Sequence, residues 1–276
     1  MPRIGIRCPV DDADLPDDHC LACKRADCAR VAPRSCPWPY EMLSAMLDRR
    51  GRESAHISAT MISSLCLRKV YLEREVDYTV SPIHLYPAVR GKIAHAMTER
   101  WPEPGAVYEV RFETVIALPT GNHVTFTGQI DKLMIDSGII IDFKTKDKVL
   151  PRAPQPEHVF QLNCYRYLVQ HGWPQKEIRH DAYGSPLGPF CPGTPAGITI
   201  NELRLVYWHL PTGRTAIFSV PLLDVDTEIT SRLAHLTGPA LPDVPPHLDP
   251  YRSTFCCEWC PVVEQCRQQS NHSGHL

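Results

Sequence analysis

The sequence predicts an α/β domain, a β-sheet covered by helices, with short cysteine-rich appendages at its two ends. Three observations carry this. Residues 106–146 read as three successive strands joined by tight turns. Helical periodicity stands before and after them, at 88–101 and 157–170. Most of the twelve cysteines gather near the termini, outside that core.

Composition bounds the class. A chain of 276 residues can bury a sizeable core, and 22% charged residues fit a globular protein. No stretch of about 18 apolar residues exists to cross a membrane. The N-terminal MPRIGIRCPVDD has no apolar leader, so a cytoplasmic location and no membrane partner are expected. In a reducing compartment, clustered cysteines read as metal ligands rather than disulfides. The net charge of −2 gives no global attraction to nucleic acid. Basic residues nevertheless gather at Lys144, Lys146, Lys148 and Arg152, and again at Arg68, Lys69, Arg90 and Lys92, as for a local basic patch.

Residues 1–38 carry Cys8, Cys20, Cys23, Cys28 and Cys36 around a Cys-x2-Cys step. Zinc takes four tetrahedral thiolate or imidazole ligands, and a segment this short and polar is expected to need one in order to fold. Cys8, Cys20, Cys23 and Cys36 are the favoured ligands, with Cys28 as substitute; a disordered, reactive tail is the alternative. The expected division is therefore a zinc-type module at 1–38 and a single domain over 39–276.

Within that domain, 39–50 reads as a short amphipathic helix. Ser58 is placed to cap a longer one, ATMISSLCLRKVYLERE, which contains Cys66. The helix at 88–101 has Ile93, Ala96 and Met97 on an apolar face; His95 lies one turn from Glu99, a possible ion-pairing partner. Strand 106–118 alternates, with Glu109, Arg111 and Glu113 on its polar face. In helix 157–170, Gln161 and Tyr165 share a face. Residues 202–209 and 214–222 form a second hairpin, and 224–237 a helix. Prolines crowd 150–156, 186–195 and 239–250, which read as loops.

The chemistry concentrates in GQIDKLMIDSGIIIDFKTKDK, residues 128–148, a hairpin turning at Asp136-Ser137-Gly138. Ile139-Ile140-Ile141 marks a return strand covered on both faces, yet Asp142 and Lys144 follow on one face of it, with Asp131 on the strand before. Buried charges of this kind are costly unless they hold a metal or pair with one another. Asp131 and Asp142 are hard oxygen ligands suited to Mg2+ or Mn2+, His95 adds an imidazole, and Lys144 can orient or deprotonate a water, or face charge on phosphorus. A structural ion-pair network is the alternative. At the C-terminus Cys257-x2-Cys260-x5-Cys266 supplies three thiolates, Cys256 is a spare, and Cys66 is the natural fourth. The Cys-Pro step at 260–261 suits an iron–sulfur cluster; a Cys-only zinc site is the alternative.

The ordered set SSLCLRKVYLE, GKIAHAMTE, GQIDKL, IDFKTK, QLNCY and CEWCPVVEQC, over about residues 56–267, resembles the RecB-like branch of the PD-(D/E)xK nuclease superfamily, and more narrowly the CRISPR-associated iron–sulfur exonucleases. The resemblance implies a mixed β-sheet flanked by helices. It implies that His95, Asp131 and Asp142 bind the catalytic Mn2+ or Mg2+, with the carbonyl of Phe143 as a further ligand, and that Lys144 acts on the attacking water. Gln161 and Tyr165 would support the site or touch DNA. Cys66, Cys257, Cys260 and Cys266 would hold a [4Fe–4S] cluster. The implied substrate is DNA, as single strands or frayed ends, cut as an exonuclease or end-trimming endonuclease, with CRISPR integrase proteins as partners. The cysteine-rich N-terminus departs from the simplest members. It leaves open a DNA-repair nuclease unrelated to CRISPR, or a nucleic-acid-binding subunit with a vestigial site.

Overall fold

The computed structural model describes residues 3–10, 12–25, 36, 38–47, 56–182, 184–240 and 260–266. Its elements run β1 (Arg3–Arg7), β2 (Asp14–Leu15), α1 (Asp17–Arg25), α2 (Tyr40–Leu47), β3 (Ile57–Ser58), α3 (Ala59–Ile62), α4 (Leu67–Glu75), β4 (Tyr78–Val80) and α5 (Pro82–Arg100). They continue with β5 (Ala106–Ala117), β6 (His123–Met134), β7 (Ile139–Lys146), α6 (Pro156–His171), β8 (Trp173–Pro174), β9 (Ile178–His180), β10 (Pro186–Phe190), β11 (Glu202–His209), β12 (Arg214–Val220) and α7 (Asp226–Thr237). The chain divides into two compact units. One comprises Ala55–Leu65 and Ile93–Ala240; the other Met1–Ser54, Cys66–Lys92 and Leu241–Leu276.

The first unit is built on a seven-stranded sheet in the order β12-β11-β7-β6-β5-β8, with β3 also paired to β6. β11 runs parallel to β7 and β3 parallel to β6, while the other neighbours are antiparallel, so the sheet is mixed as expected. On β5, Phe112, Thr114 and Ile116 are buried and alternate with more open residues. Ile140 and Ile141 are both buried although successive side chains point to opposite faces, the mark of a strand covered on both sides. Gly138, at φ +64°, makes the turn into β7; a Cβ there would lie 2.2 Å from the carbonyl oxygen of Thr199. α6 packs across β5, β6, β7 and β11. Its approach depends on Gly128, where a Cβ would stand 2.6 Å from Leu168 Cδ1 and 2.9 Å from Tyr165 Cδ1. The glycine of GQIDKL is thus a packing requirement.

Residues 186–190, read as part of a loop, form β10, and three further expectations change. The long helix after Ser58 is two helices. Ser58 Oγ accepts from Met61 N–H and caps α3, and Ser63 Oγ donates to the Ala59 carbonyl and helps end it. α4 then starts afresh with Cys66 as its cap. The helix expected at 88–101 begins at Pro82, a residue well suited to a helix start. Its Ile93–Met97 face lies open to solvent, at 59% and 44% exposure.

The second unit corrects the third expectation. β1 pairs antiparallel with β2 and parallel with β4. Ile6, Cys20, Leu43 and Leu47 form a buried cluster, flanked by Leu15, Leu21, Cys36, Trp38 and Leu85. The N-terminal segment therefore does have apolar burial, because it borrows α2 and the start of α5 to build it. No described helix is long and apolar enough to cross a membrane.

Candidate active site

The site begins where a ladder stops. β6 and β7 pair at Met134–Ile139, Leu133–Ile140 and Lys132–Ile141. At the next position the Asp131 side chain takes over: its Oδ2 accepts from the Phe143 N–H at 2.7 Å. The strands part here, and both Asp131 and Asp142 are buried. Lys144 Nζ lies 2.9 Å from Asp142 Oδ2 and donates to Oδ1 at 3.1 Å. Oδ2 is buried without a hydrogen bond of good geometry, the ammonium being close but poorly aligned.

On the other side of β6, Tyr108 pairs with Lys132 and Val110 with Ile130, leaving Glu109 opposite Asp131 with no bridge between them. Glu109 has φ +51°, a left-handed conformation that costs a non-glycine residue of order 1–3 kcal/mol and clusters at functional sites. Its Oε1 is 2.8 Å from His95 Nδ1, and the same nitrogen is 3.6 Å from Asp131 Oδ1. Glu109 Oε2 accepts from Gln129 Nε2 at 2.5 Å, and Gln129 Oε1 accepts from Arg111 at 2.8 Å. The partner of His95 on α5 is thus Glu109 on β5 rather than Glu99 one helical turn away. His95, Glu109 and Asp131 bring one ligand atom each within 4.8 Å of one another, the one such group among the described residues.

The electrostatics follow from crowding. Burial, and then the charge of Asp142, push Asp131 up to about 8. The hydrogen bond to Glu109 raises His95 to about 9 against the opposing effect of burial, with Asp131 adding to it. Burial works against the Lys144 ammonium, but Asp142 and Asp131 outweigh it and hold its pKa above the ordinary lysine value. Three carboxylates thus compete for one imidazole and one ammonium, an arrangement that favours an additional cation.

Gln161 and Tyr165 are buried behind the site. Gln161 Nε2 donates to Tyr165 Oη and to Thr60 Oγ1, each at 2.8 Å. The charges of Asp142 and Asp131 reach Tyr165, whose hydroxyl is held far above its ordinary pKa, chiefly by burial. The pair braces α6 against α3.

Among the cysteines, Cys66 Sγ accepts from the Lys69 N–H at 3.4 Å as the α4 cap. Burial pushes the Cys260 thiol up to about 11, and Cys66 is near enough to contribute. Cys66, Cys260 and Cys266 are not in disulfides; Cys256 and Cys257 lie outside the described residues. Cys8, Cys20 and Cys36 are also thiols, whereas Cys23 is disulfide-bonded. Of the expected zinc ligands Cys8, Cys20, Cys23 and Cys36, three are thus thiols outside any disulfide. Cys20 and Cys23 sit within α1 and not on a loop knuckle, and Cys28 lies outside the described residues.

Glu109, Gln129 and Arg111 were not singled out by the sequence, which placed Glu109 and Arg111 on a plain solvent face. Hairpin register was the missing signal. Ala117 pairs with His123 across the turn, and counting back from there sets Glu109 against Asp131.

A mixed sheet whose strands part around buried carboxylates and a lysine defines an α/β core with a candidate metal site. The chain belongs to the PD-(D/E)XK nuclease superfamily, whose family model matches residues 62–267. Members are generally phosphodiester hydrolases that use divalent metals such as Mg2+ or Mn2+. No curated protein matches the chain. Among solved structures, the crystal structure of SSO0001 is similar in fold, with a TM-score of 0.55 and 18% identity over 80% of this chain and 91% of that one.

Proposed function

We propose that the protein is a metal-dependent deoxyribonuclease that hydrolyses phosphodiesters in single strands or frayed ends. The observation that carries this reading is the meeting of Asp131, Asp142, Lys144 and His95 where β6 and β7 separate. The residues suit a hard divalent cation, because the buried Asp142 Oδ2 lacks a hydrogen bond and three ligand atoms already converge beside it. His95, Asp131 and Asp142 would hold Mn2+ or Mg2+, joined by Glu109 and the Phe143 carbonyl. Such an ion supplies Lewis acidity toward a phosphoryl oxygen and acidifies water.

The side chains divide the remaining work. Lys144 is held protonated by its two carboxylate neighbours, so in this arrangement it serves as a donor that orients water and faces negative charge on phosphorus, not as a resting base. Glu109 fixes the His95 ring, and Gln129 with Arg111 fixes Glu109. Gln161 and Tyr165 are positioning residues.

The proposal extends to the cysteines. Cys66, Cys257, Cys260 and Cys266 would hold a structural [4Fe–4S] cluster, supported by the proximity of Cys66 to Cys260. Zinc at Cys8, Cys20, Cys23 and Cys36 requires Cys23 in its reduced form. Trimming of DNA ends alongside CRISPR integrase proteins rests on the motif resemblance alone. Anaerobic purification should give brown protein with iron and sulfide near four each if the cluster reading holds.

The nuclease reading is tested by incubating end-labelled single-stranded DNA with Mn2+. Wild type should cleave, and Lys144→Ala should lose about a hundredfold or more in rate. Wild type and variant equally inert would leave a binding subunit with a vestigial site.

A further inference from the structure

The face of β7 that carries the carboxylate centre continues beyond Lys144. Asp142, Lys144 and Lys146 alternate along the strand and project to one side of it. Tyr207 on β11 stands in register with Lys144 and shares that side. Over them lies α6, on which His158, Gln161 and Tyr165 fall on one helical face. The two rows are matched end to end. Tyr165 at one end feels the charges of Asp142 and Asp131, and His158 at the other feels those of Lys144 and Lys146.

Hydrogen bonding decides which atoms are left to bind. Tyr207 is fully buried, and its hydroxyl accepts from the Gln155 N–H at 2.9 Å. Its own hydrogen must also find an acceptor. Among the described residues that acceptor is His158 Nδ1, 2.8 Å away. Burial first, then Lys144 and Lys146, drive the His158 pKa down to about 3, so the ring is neutral and Nδ1 can accept. The proton of the neutral ring therefore sits on Nε2, which becomes a donor. Lys146 Nζ donates to Gln155 Oε1 at 2.7 Å and lies 5.2 Å from the centre of the Tyr207 ring. An ammonium has further protons to give. Burial works against this charge and Glu157 and Asp147 support it, but among the described residues neither carboxylate is ion-paired with Lys146.

We infer that Lys146 and the Nε2–H of His158 bind the phosphodiester that adjoins the scissile one, a second phosphate site on the same face as the first. A strand rises about 3.3 Å per residue, so Lys144 and Lys146 stand about 6.6 Å apart along it. One nucleotide's backbone can span that distance. Lys144 then faces the reacting phosphate and Lys146 its neighbour, with the DNA strand laid along β7. The inference rests on the nuclease reading and deepens it, since the substrate must present two consecutive phosphates. One of the two donors is charged and the other neutral, and that difference makes the site recognisable in solution. A lysine on a phosphate releases a counterion from the nucleic acid, whereas a neutral imidazole does not.

Full-length protein in EDTA is titrated, by fluorescence anisotropy, into a fluorescein-labelled thymidine single strand over a series of salt concentrations. Lys146→Met should weaken binding and flatten the slope of log affinity against log salt by about 0.7, the share of one phosphate contact on a single strand. Lys146→Arg keeps the charge and should keep the slope, which separates lost charge from lost folding. His158→Ala should weaken binding by about tenfold at an unchanged slope. His158→Gln places an amide donor near the position of Nε2 and should recover part of that loss. A wild-type slope in Lys146→Met, or wild-type affinity in His158→Ala, would overturn the inference. Cleavage of the strand by wild type in Mn2+ alongside such a result leaves the nuclease reading standing. The expected slopes without any cleavage overturn the nuclease reading instead and leave a phosphate-binding face.

Discussion

The two ends of the β6–β7 hairpin are made from the same strands and obey opposite rules. At the turn end, Leu133 pairs with Ile140, both wholly buried, and the backbone ladder is complete. Two residues further along β6, Asp131 and Asp142 are just as deeply buried but the ladder has given way to a side-chain hydrogen bond. The first end stabilises the sheet by removing apolar surface from water. The second spends part of that stability on charges held close together. A site of this type has to be carried by a rigid neighbour, and the isoleucine run supplies it.

The sharpest way to break the comparison is Asp131→Asn. It keeps the shape and removes one charge, so cleavage should fall by about a hundredfold or more, while the metal-free protein should become more stable at alkaline pH. The sign follows from linkage. Asp131 has a folded pKa of about 8, above its unfolded value, and His95 about 9, above its own. Each therefore contributes stability at low pH that is lost as pH rises through the folded value. Thermal melts of wild type in EDTA should decline from about pH 4, where Asp131 begins to lose its contribution, to about pH 9, where that of His95 is lost as well, and Mn2+ should restore more at the upper end. A flat melting profile in EDTA would show that the carboxylates do not crowd one another as described.

A smaller effect is expected one layer out. Gln129→Leu removes the donor to Glu109 and leaves the carboxylate less well oriented toward His95. Residues that orient ligands typically cost 10–100-fold in metal affinity when lost, and a weakening of about tenfold is expected here. Mn2+ titration calorimetry reads this directly, without relying on cleavage. An unchanged affinity would reduce the Arg111–Gln129–Glu109 chain to strand decoration.

What could be read in advance follows the same divide. Asp142 and Lys144 stood out because charges interrupt an apolar run, a conflict visible in one strand. Gly128 stood out only as part of a motif, since its reason lies 40 residues away in Leu168. Glu109 escaped notice because alternation along β5 made it an ordinary solvent-facing residue; its role comes from register and a positive φ, which belong to pairs of strands and not to residue types. The break between α3 and α4 escaped for a different reason. Ser63 and Ser64 are tolerated inside helices, and only the competing hydrogen bonds of Ser63 and Cys66 decide that the helix stops and restarts.

The mildest change examines the turn end by itself. Ile140 is fully buried between Leu133 on β6 and Leu203 on β11. Ile140→Val deletes one methyl group and should cost about 0.5–1.5 kcal/mol of stability. Because Ile140 supports the site through the backbone and touches none of its charges, the cleavage rate and the Mn2+ affinity should stay at wild-type values while the melting temperature falls. If the rate dropped in step with stability, the two ends of the hairpin would be coupled, and the parting of β6 from β7 would depend on how tightly the isoleucines pack rather than on Asp131 capturing the Phe143 N–H.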